Sequence, residues 1–266
     1  MLPASLQADV IGANAQGVRG LWHVPEAAPD PTLSSRVSLG VDYTQYDSFI
    51  YAGDNSRQLR RFATVSLVPY QGFEFAYQYR ALDTRSAYNV PGEIHVRGDG
   101  LFSAKWSKNI NEWSFGALGQ VTRYAGGGGS TYAGSLLGQY AWRAWDFIAQ
   151  AGYSIEDANV DVPAPVKSYA YQQAQRNAIL ARAAVSFQAD KVRPFLEYGT
   201  EQYLARTGSP HRLTLGAHAE AGFKGLVATP TISIGSSGKA TSDFPQEPGW
   251  RAGMLLSYAV PTNKLY

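Results

Sequence analysis

The feature that most constrains this chain is a parity in the lengths of its connections. From Arg36 onward, apolar and polar residues alternate with a period of 2 in runs of about ten residues, the signature of half-buried strands. The joining segments alternate long and short: "YAGDNSRQ" then "QG", "ALDTRSAYNVPGEIH" then "NINE", "AGGGGST" then "RA". "DANVDVPAPVKSYAYQQAQRN" is followed by "DK", "ARTGSPH" by "G", and the series closes on "ATSDFPQEPG". A soluble sandwich has no reason to keep such parity. An up-and-down barrel crossing a bilayer does, because its turns are short on one side and its loops long on the other.

Twelve runs can be counted, near 36–49, 59–70, 73–82, 97–108, 113–124, 132–143, 145–156, 177–189, 192–204, 212–224, 226–237 and 249–260. The expectation is an all-β chain: a transmembrane antiparallel up-and-down β-barrel of about 12 strands. Hydrocarbon offers backbone N–H and C=O groups no water, so a membrane sheet must close on itself. Tilted strands of 9–11 residues suffice to cross. The chain divides into an N-terminal segment (1–35), periplasmic or inserted in the lumen, the barrel (36–260) and a short C-terminal tail (261–266). Pro230 lies inside a run, so a bulge or a local break is expected there.

Composition supports the strands. Charged residues make up 17% of the chain, below the roughly 25% of soluble domains. Gly 27 and Tyr 17 favour turns and strands over helices. With Cys 0, a disulfide framework, thiolate metal sites and a Cys nucleophile are excluded. A net charge of +2 gives no electrostatic case for nucleic acid. The start, "MLPASLQADV", has neither the basic region nor the apolar core of a signal peptide.

Aromatic residues crowd the short turns. Trp106 and Trp113 flank "NINE", and Trp142, Trp145 and Phe147 flank "RA"; Tyr258 closes the last run. Amphipathic rings belong where hydrocarbon meets headgroups. These six are therefore assigned to an interfacial girdle on the side that the short turns share, with Lys105 and Ser107 pointing into the lumen.

The last run, "RAGMLLSY" (251–258), resembles the C-terminal assembly signal of bacterial outer-membrane proteins, although here the chain continues through "AVPTNKLY". Residues 36–260 as a whole resemble a bacterial outer-membrane β-barrel protein of porin-like kind. "GLWHVPEA" followed by "RVSLGVDY" is also similar to the N-terminal barrels of some OmpA-family proteins. The resemblance implies a bacterial outer-membrane location with periplasmic termini. Its implied partners are outer-membrane lipid and lipopolysaccharide, the insertion machinery and other envelope proteins.

Strand parity also picks out residues for the lumen. The acidic candidates are Asp42, Glu74, Asp146, Glu156, Glu197, Glu201 and Glu220. The basic ones are Arg80, Lys105, Arg143, Arg182, Arg193 and Lys224, with His218 and several glutamines between them. Three arrangements stay open: a narrow polar channel for small hydrophilic solutes, a structural barrel closed by cross-strand ion pairs, and a lumen filled by residues 1–35. No catalytic triad, metal site or cofactor motif is found. The four histidines lack a signature resembling outer-membrane phospholipase, so an enzyme acting on lipid is the remote alternative. "GGGG" (126–129) lacks the Lys that a phosphate loop needs, and "RGD" (97–99) is read as a chance match.

Overall fold

A computed structural model describes residues 12–31, 33–47, 55–86, 93–125, 129–157, 177–204, 209–236 and 249–261. Twelve strands follow one another in chain order: β1 (Ser34–Asp47), β2 (Asn55–Tyr70), β3 (Phe73–Ser86), β4 (Glu93–Ile110), β5 (Trp113–Arg123) and β6 (Ser130–Trp142). They continue as β7 (Trp145–Asp157), β8 (Ala178–Phe187), β9 (Val192–Tyr203), β10 (His211–Glu220), β11 (Leu226–Ser236) and β12 (Trp250–Pro261). Each pairs antiparallel with its sequence neighbours, and β1 pairs with β12 from Ser34↔Pro261 to Gln45↔Trp250, so the sheet is a closed barrel. Closure removes both edges, as a strand sheet inside a bilayer requires.

The short connections set the register. Gln71–Gly72, Asn111–Glu112 and Arg143–Ala144 are two-residue turns. Two-residue hairpins need positive φ, because only then does the turn twist with its strands. The chain complies with Gly72 (φ 88), Asn111 (φ 56) and Arg143 (φ 58). This corrects the lumen assignment of Arg143. The residue forms the turn itself, is exposed, and its guanidinium carbon lies 5.1 Å from the centre of the Trp142 ring.

Lys224 is corrected for a similar reason. The alternation in the sequence runs on to residue 224, but β10 ends at Glu220 and a turn of residues 221–225 follows. Gly222 (φ 79) and Gly225 (φ 91) let the backbone fold back, and Ala221 N–H donates to Leu226 C=O at 2.9 Å. Lys224 is therefore exposed at the turn, outside the lumen.

Two further irregularities have local causes. Arg80 pairs with Asp99 but Ala81 with Arg97, so Gly98 (φ 102) is the extra residue of a bulge in β4 and carries the centre of the "RGD" string. At Pro230 the register is kept, yet β10–β11 pairing skips from Gly216↔Thr231 to Ala219↔Ala228. The proline breaks the ladder locally and makes no bulge, since it lacks only the donor.

Outward positions carry the large apolar side chains. Trp106, Trp113, Trp142, Trp145, Phe147 and Tyr258 are all exposed on this face, close to the short turns. Trp113 packs against Tyr140 at 4.7 Å, and Trp145 against Phe187 at 4.8 Å between ring centres. Inward positions are of another kind. Ser38, Thr64, Ser103, Ser135, Ser186, Thr214 and Ser233 are buried and short. A wall lined this way leaves room in the bore that its own side chains do not fill.

Candidate functional site: the filled lumen

The room is taken by the chain's own N-terminal segment. Residues 12–31 precede β1, which begins at the end of the barrel shared by the short turns, and they fold back into the lumen. The segment is held in shape by bridges Ala13↔Arg19 and Gly20↔Pro25. Ala13, Val18, Leu21, Trp22, Val24 and Ala27 are completely or almost completely buried.

Two apolar clusters seat it. Ala13, Leu21, Trp22 and Val24 pack with Phe62, Ile148, Ala184, Phe195 and Leu255 of the wall. Val18 and Ala27 pack with Ala76, Leu118 and Leu137. Trp22 sits edge-on to Phe62, with ring centres 6.2 Å apart. Its place exists because residue 253 is glycine: a Cβ there would lie 2.4 Å from Trp22 Cζ2.

Polar contacts then fix the segment at both levels of the lumen. Toward the short-turn end, Glu26 lies between Arg19 (Nε–Oε2 2.6 Å) and Arg193 (Nη1–Oε1 2.5 Å), and Arg193 also reaches Asp146 at 2.7 Å. Burial alone would raise the Glu26 pKa, but the Arg193 and Arg19 guanidiniums hold its carboxyl well below the usual range. Glu74 accepts the Arg19 backbone N–H at 2.8 Å and pairs with Lys105 at 2.8 Å and Arg36 at 3.5 Å. Arg36 also reaches Asp30 at 3.0 Å. His218, fully buried, has Nδ1 2.8 Å from Thr229 Oγ1 and Nε2 3.1 Å from the Gly20 carbonyl.

Deeper in the lumen, Glu197 caps the tip. Its Oε1 accepts the N–H groups of Trp22 (2.7 Å), His23 (2.9 Å) and Val24 (3.0 Å), and its Oε2 is 2.9 Å from the His23 N–H. Arg182 Nη1 donates to the His23 carbonyl at 3.0 Å and Nη2 lies 3.4 Å from Glu201. Arg212 Nη1 is 3.4 Å from His23 Nε2. Asp42 stands between Arg60 (3.7 Å) and Arg251 (3.5 Å). The His23 pKa is lowered, first by burial and then by the charges of Arg212, Arg251, Arg182 and Arg60, so the ring is neutral here.

The residues picked from sequence thus fall into groups. Asp42, Glu74, Lys105, Arg193, Glu197 and His218 are buried inside the barrel, and Arg80, Asp146, Arg182 and Glu201 are half-buried there. Arg80 donates to Gln78 Oε1 at 2.5 Å. Glu220 is half-buried and ends β10 opposite Val227. The side chain of Glu156 lies outside the described residues. Strand parity alone also identifies Arg36, Arg60, Arg212 and Arg251, each on the inward face. Arg19, Glu26 and Asp30 carry no strand pattern, so no periodicity could have found them.

No family model and no curated protein matches the chain. Solved structures do. The COG4313 outer membrane channel from Pseudomonas putida F1 superposes with a TM-score of 0.64 at 11% identity, covering 88% of this chain and 98% of that one. The β domain of the Bordetella autotransporter BrkA gives 0.55 at 14% identity, covering 86% and 100%. The NanC porin gives 0.55 at 8% identity, covering 83% and 98%. At these identities the likeness is one of fold. It is the fold of outer-membrane channels and porins, and it supports an outer-membrane location.

Proposed function

We propose that this protein is a narrow passive channel for small hydrophilic solutes, closed at rest by its own N-terminal segment. One observation carries the reading: the strands present short polar side chains to a bore, and a separate, non-strand segment occupies it. A barrel meant only as a structural unit can be filled by larger inward side chains from its own wall. Here removal of residues 12–31 would expose Ser, Thr, Gln and paired charges, with two apolar patches around Phe62 and Leu137 between them, a largely polar lining that holds water. On this reading the protein performs no chemistry and needs no cofactor, its outward face meets lipid and lipopolysaccharide, and the short turns are periplasmic.

Proteoliposome swelling tests it. Pentoses should enter faster than trisaccharides, and the rate should rise in Glu197→Ala, which loosens the segment. The ion pairs of Glu26 and Glu74 favour the second reading, a permanently closed structural barrel. Absence of swelling in both proteins would establish that one instead.

A further inference from the structure

On the outer wall of the barrel, one sector differs from the rest at its long-loop end. Arg57 and Arg61 of β2, Arg85 of β3 and Arg123 of β5 are exposed there on the outward face. Elsewhere the outward positions of that end present Gln45, Ser130, Ile155, Gln202, His211 and Ser236 instead. Arg57 and Arg85 are direct partners across β2–β3. Like charges directly opposite each other destabilise a sheet, unless an anion lies between them. Arg61 is paired with Asp83, whereas Arg57, Arg85 and Arg123 form no ion pair among the described residues.

Below the arginines, the outward face of β2–β7 is hollowed into an apolar groove of about 800 Å³. Ala104, Gly119 and Gly134 form its floor, and Tyr77, Phe102 and Tyr132 stand around it. A Cβ at Gly119 or Gly134 would meet nothing within 4 Å, so the floor is open to the surroundings. Arg123 is the next outward residue of β5 beyond Val121, which lines the groove, and Arg61 is two outward places beyond Val65 of β2. We infer that this face holds a lipopolysaccharide molecule, with its bisphosphorylated sugar headgroup on the arginines and an acyl chain in the groove. The inference takes from the reading above only its orientation, short turns periplasmic and long loops outermost, and is independent of conduction.

The depth of the arginines fits a headgroup. Trp113 and Phe73 mark the interface at the short turns. With a rise of about 3.4 Å per residue and a tilt of about 40°, Arg123 stands roughly 26 Å above Trp113 and Arg85 roughly 31 Å above Phe73. The apolar band of such a barrel is about 25 Å tall, so both guanidiniums reach the opposite headgroups. Tails alone cannot select the lipid, since hydrocarbon is equally apolar inside and outside the groove. The headgroup must do so, and guanidinium forks match phosphate in shape as well as charge. Arg61 and Arg123 lie three strands apart, roughly 14 Å around the wall at about 4.8 Å per strand. A single phosphate sits on one group or the other, whereas a headgroup with two separated phosphates engages both. A second copy of this chain, seated face to face on the groove, would set the same arginines against themselves.

The test is native mass spectrometry of refolded, heat-modifiable full-length protein in detergent, with diphosphoryl lipid A, monophosphoryl lipid A or phosphatidylglycerol added. Diphosphoryl lipid A should form a one-to-one adduct at least tenfold more readily than phosphatidylglycerol and severalfold more readily than the monophosphoryl form. The double variant Arg57→Gln, Arg85→Gln should weaken it at least tenfold, and Arg123→Gln should abolish the preference for two phosphates. Gly134→Leu, which fills the floor, should weaken both lipid A forms severalfold, and Lys224→Gln at the opposite end should change nothing. Equal adducts with phosphatidylglycerol and lipid A, full lipid A affinity in both arginine variants, or a protein dimer that excludes lipid overturns the inference. Orientation is read separately. The chain has no cysteine, so Ser130→Cys gives a single site for a membrane-impermeant maleimide on intact cells that export it. Labelling without a lipid A adduct defeats the site and leaves the orientation, whereas an adduct without labelling supports the site and defeats the orientation.

Discussion

Replacing Glu197 by alanine should release the N-terminal segment without opening the barrel wall. In the folded protein this carboxylate accepts three consecutive backbone N–H groups, from Trp22, His23 and Val24, at 2.7–3.0 Å. Alanine leaves all three buried donors without their acceptor. Hydrogen bonds to charged groups contribute about 1.5–3 kcal/mol each, but these share one carboxylate and do not add. We take about 3 kcal/mol for the set, the lower range for removing one partner of a buried charged contact. At about 1.4 kcal/mol per tenfold, the withdrawn form should become roughly a hundredfold more populated. Glu197→Gln keeps one acceptor oxygen and loses the charge, so roughly tenfold is expected.

Trypsin reads this equilibrium at a single bond. Arg19 is the one Lys or Arg before Arg36, and it is buried in the segment. Cleavage after Arg19 therefore requires withdrawal, and when opening is fast relative to cleavage the rate follows the open population. The assay is mass spectrometry of cleavage at Arg19 in detergent-refolded protein at pH 8, with heat-modifiable gel migration confirming an intact barrel. An unchanged Arg19 cleavage rate in a folded Glu197→Ala barrel would refute the anchoring role.

Gly253→Leu should exclude Trp22 from its seat, because even a Cβ at 253 falls 2.4 Å from the indole; the expected readout is a red-shifted tryptophan emission with faster Arg19 cleavage. The contribution of His23 to seating should weaken on acidification. His23 has a lowered pKa when seated, so the withdrawn form, titrating near the ordinary value of about 6.5, binds more protons. That contribution is thus at full strength above about pH 6.5 and weakens as pH falls below it; the difference in Arg19 cleavage between this protein and His23→Gln from pH 7.5 to 5 checks this. Glu74→Leu leaves Lys105 and Arg36 without their shared buried carboxylate, and should cost about 3–5 kcal/mol, read as a lower temperature for loss of heat-modifiable migration.

The strands were legible because a closed membrane barrel forces two simple signals into the chain. Inward and outward residues must alternate, and turns on one side can be short. All twelve runs correspond to strands, and the indoles around "NINE" and "RA" stand on the outward face beside their turns. Where the alternation ran past a turn it misled. Phe223 kept the beat through a segment whose two positive-φ glycines had already reversed the chain, and Lys224 was carried along with it. Arg143 was misplaced because a two-residue turn borrows its first residue from the end of the run.

The filled lumen was less visible, for a physical reason. Residues 12–31 take their shape from the wall: Glu197, Glu74, Gln78 and Gln139 supply backbone partners that regular structure would otherwise supply. Such a segment needs no periodicity of its own, and with none it reads as a tail. The wall did hold a hint. Phe62, Leu118, Leu137, Phe195 and Leu255 point inward, and apolar side chains facing a polar bore imply something apolar packed on them. Trp22 and Leu21, within "GLWHV", are that partner for Phe62, Phe195 and Leu255, and Val18 with Ala27 is the partner for Leu118 and Leu137.

The central claim is that residues 12–31 are what closes an otherwise water-filled bore. Single-channel current in planar bilayers tests it most directly, comparing the full chain with one lacking residues 1–31 that still migrates as a folded, heat-modifiable barrel. The account predicts low or intermittent current from the full chain and a large, steady conductance after deletion. A folded deletion variant that passes no more current than the intact protein would contradict it.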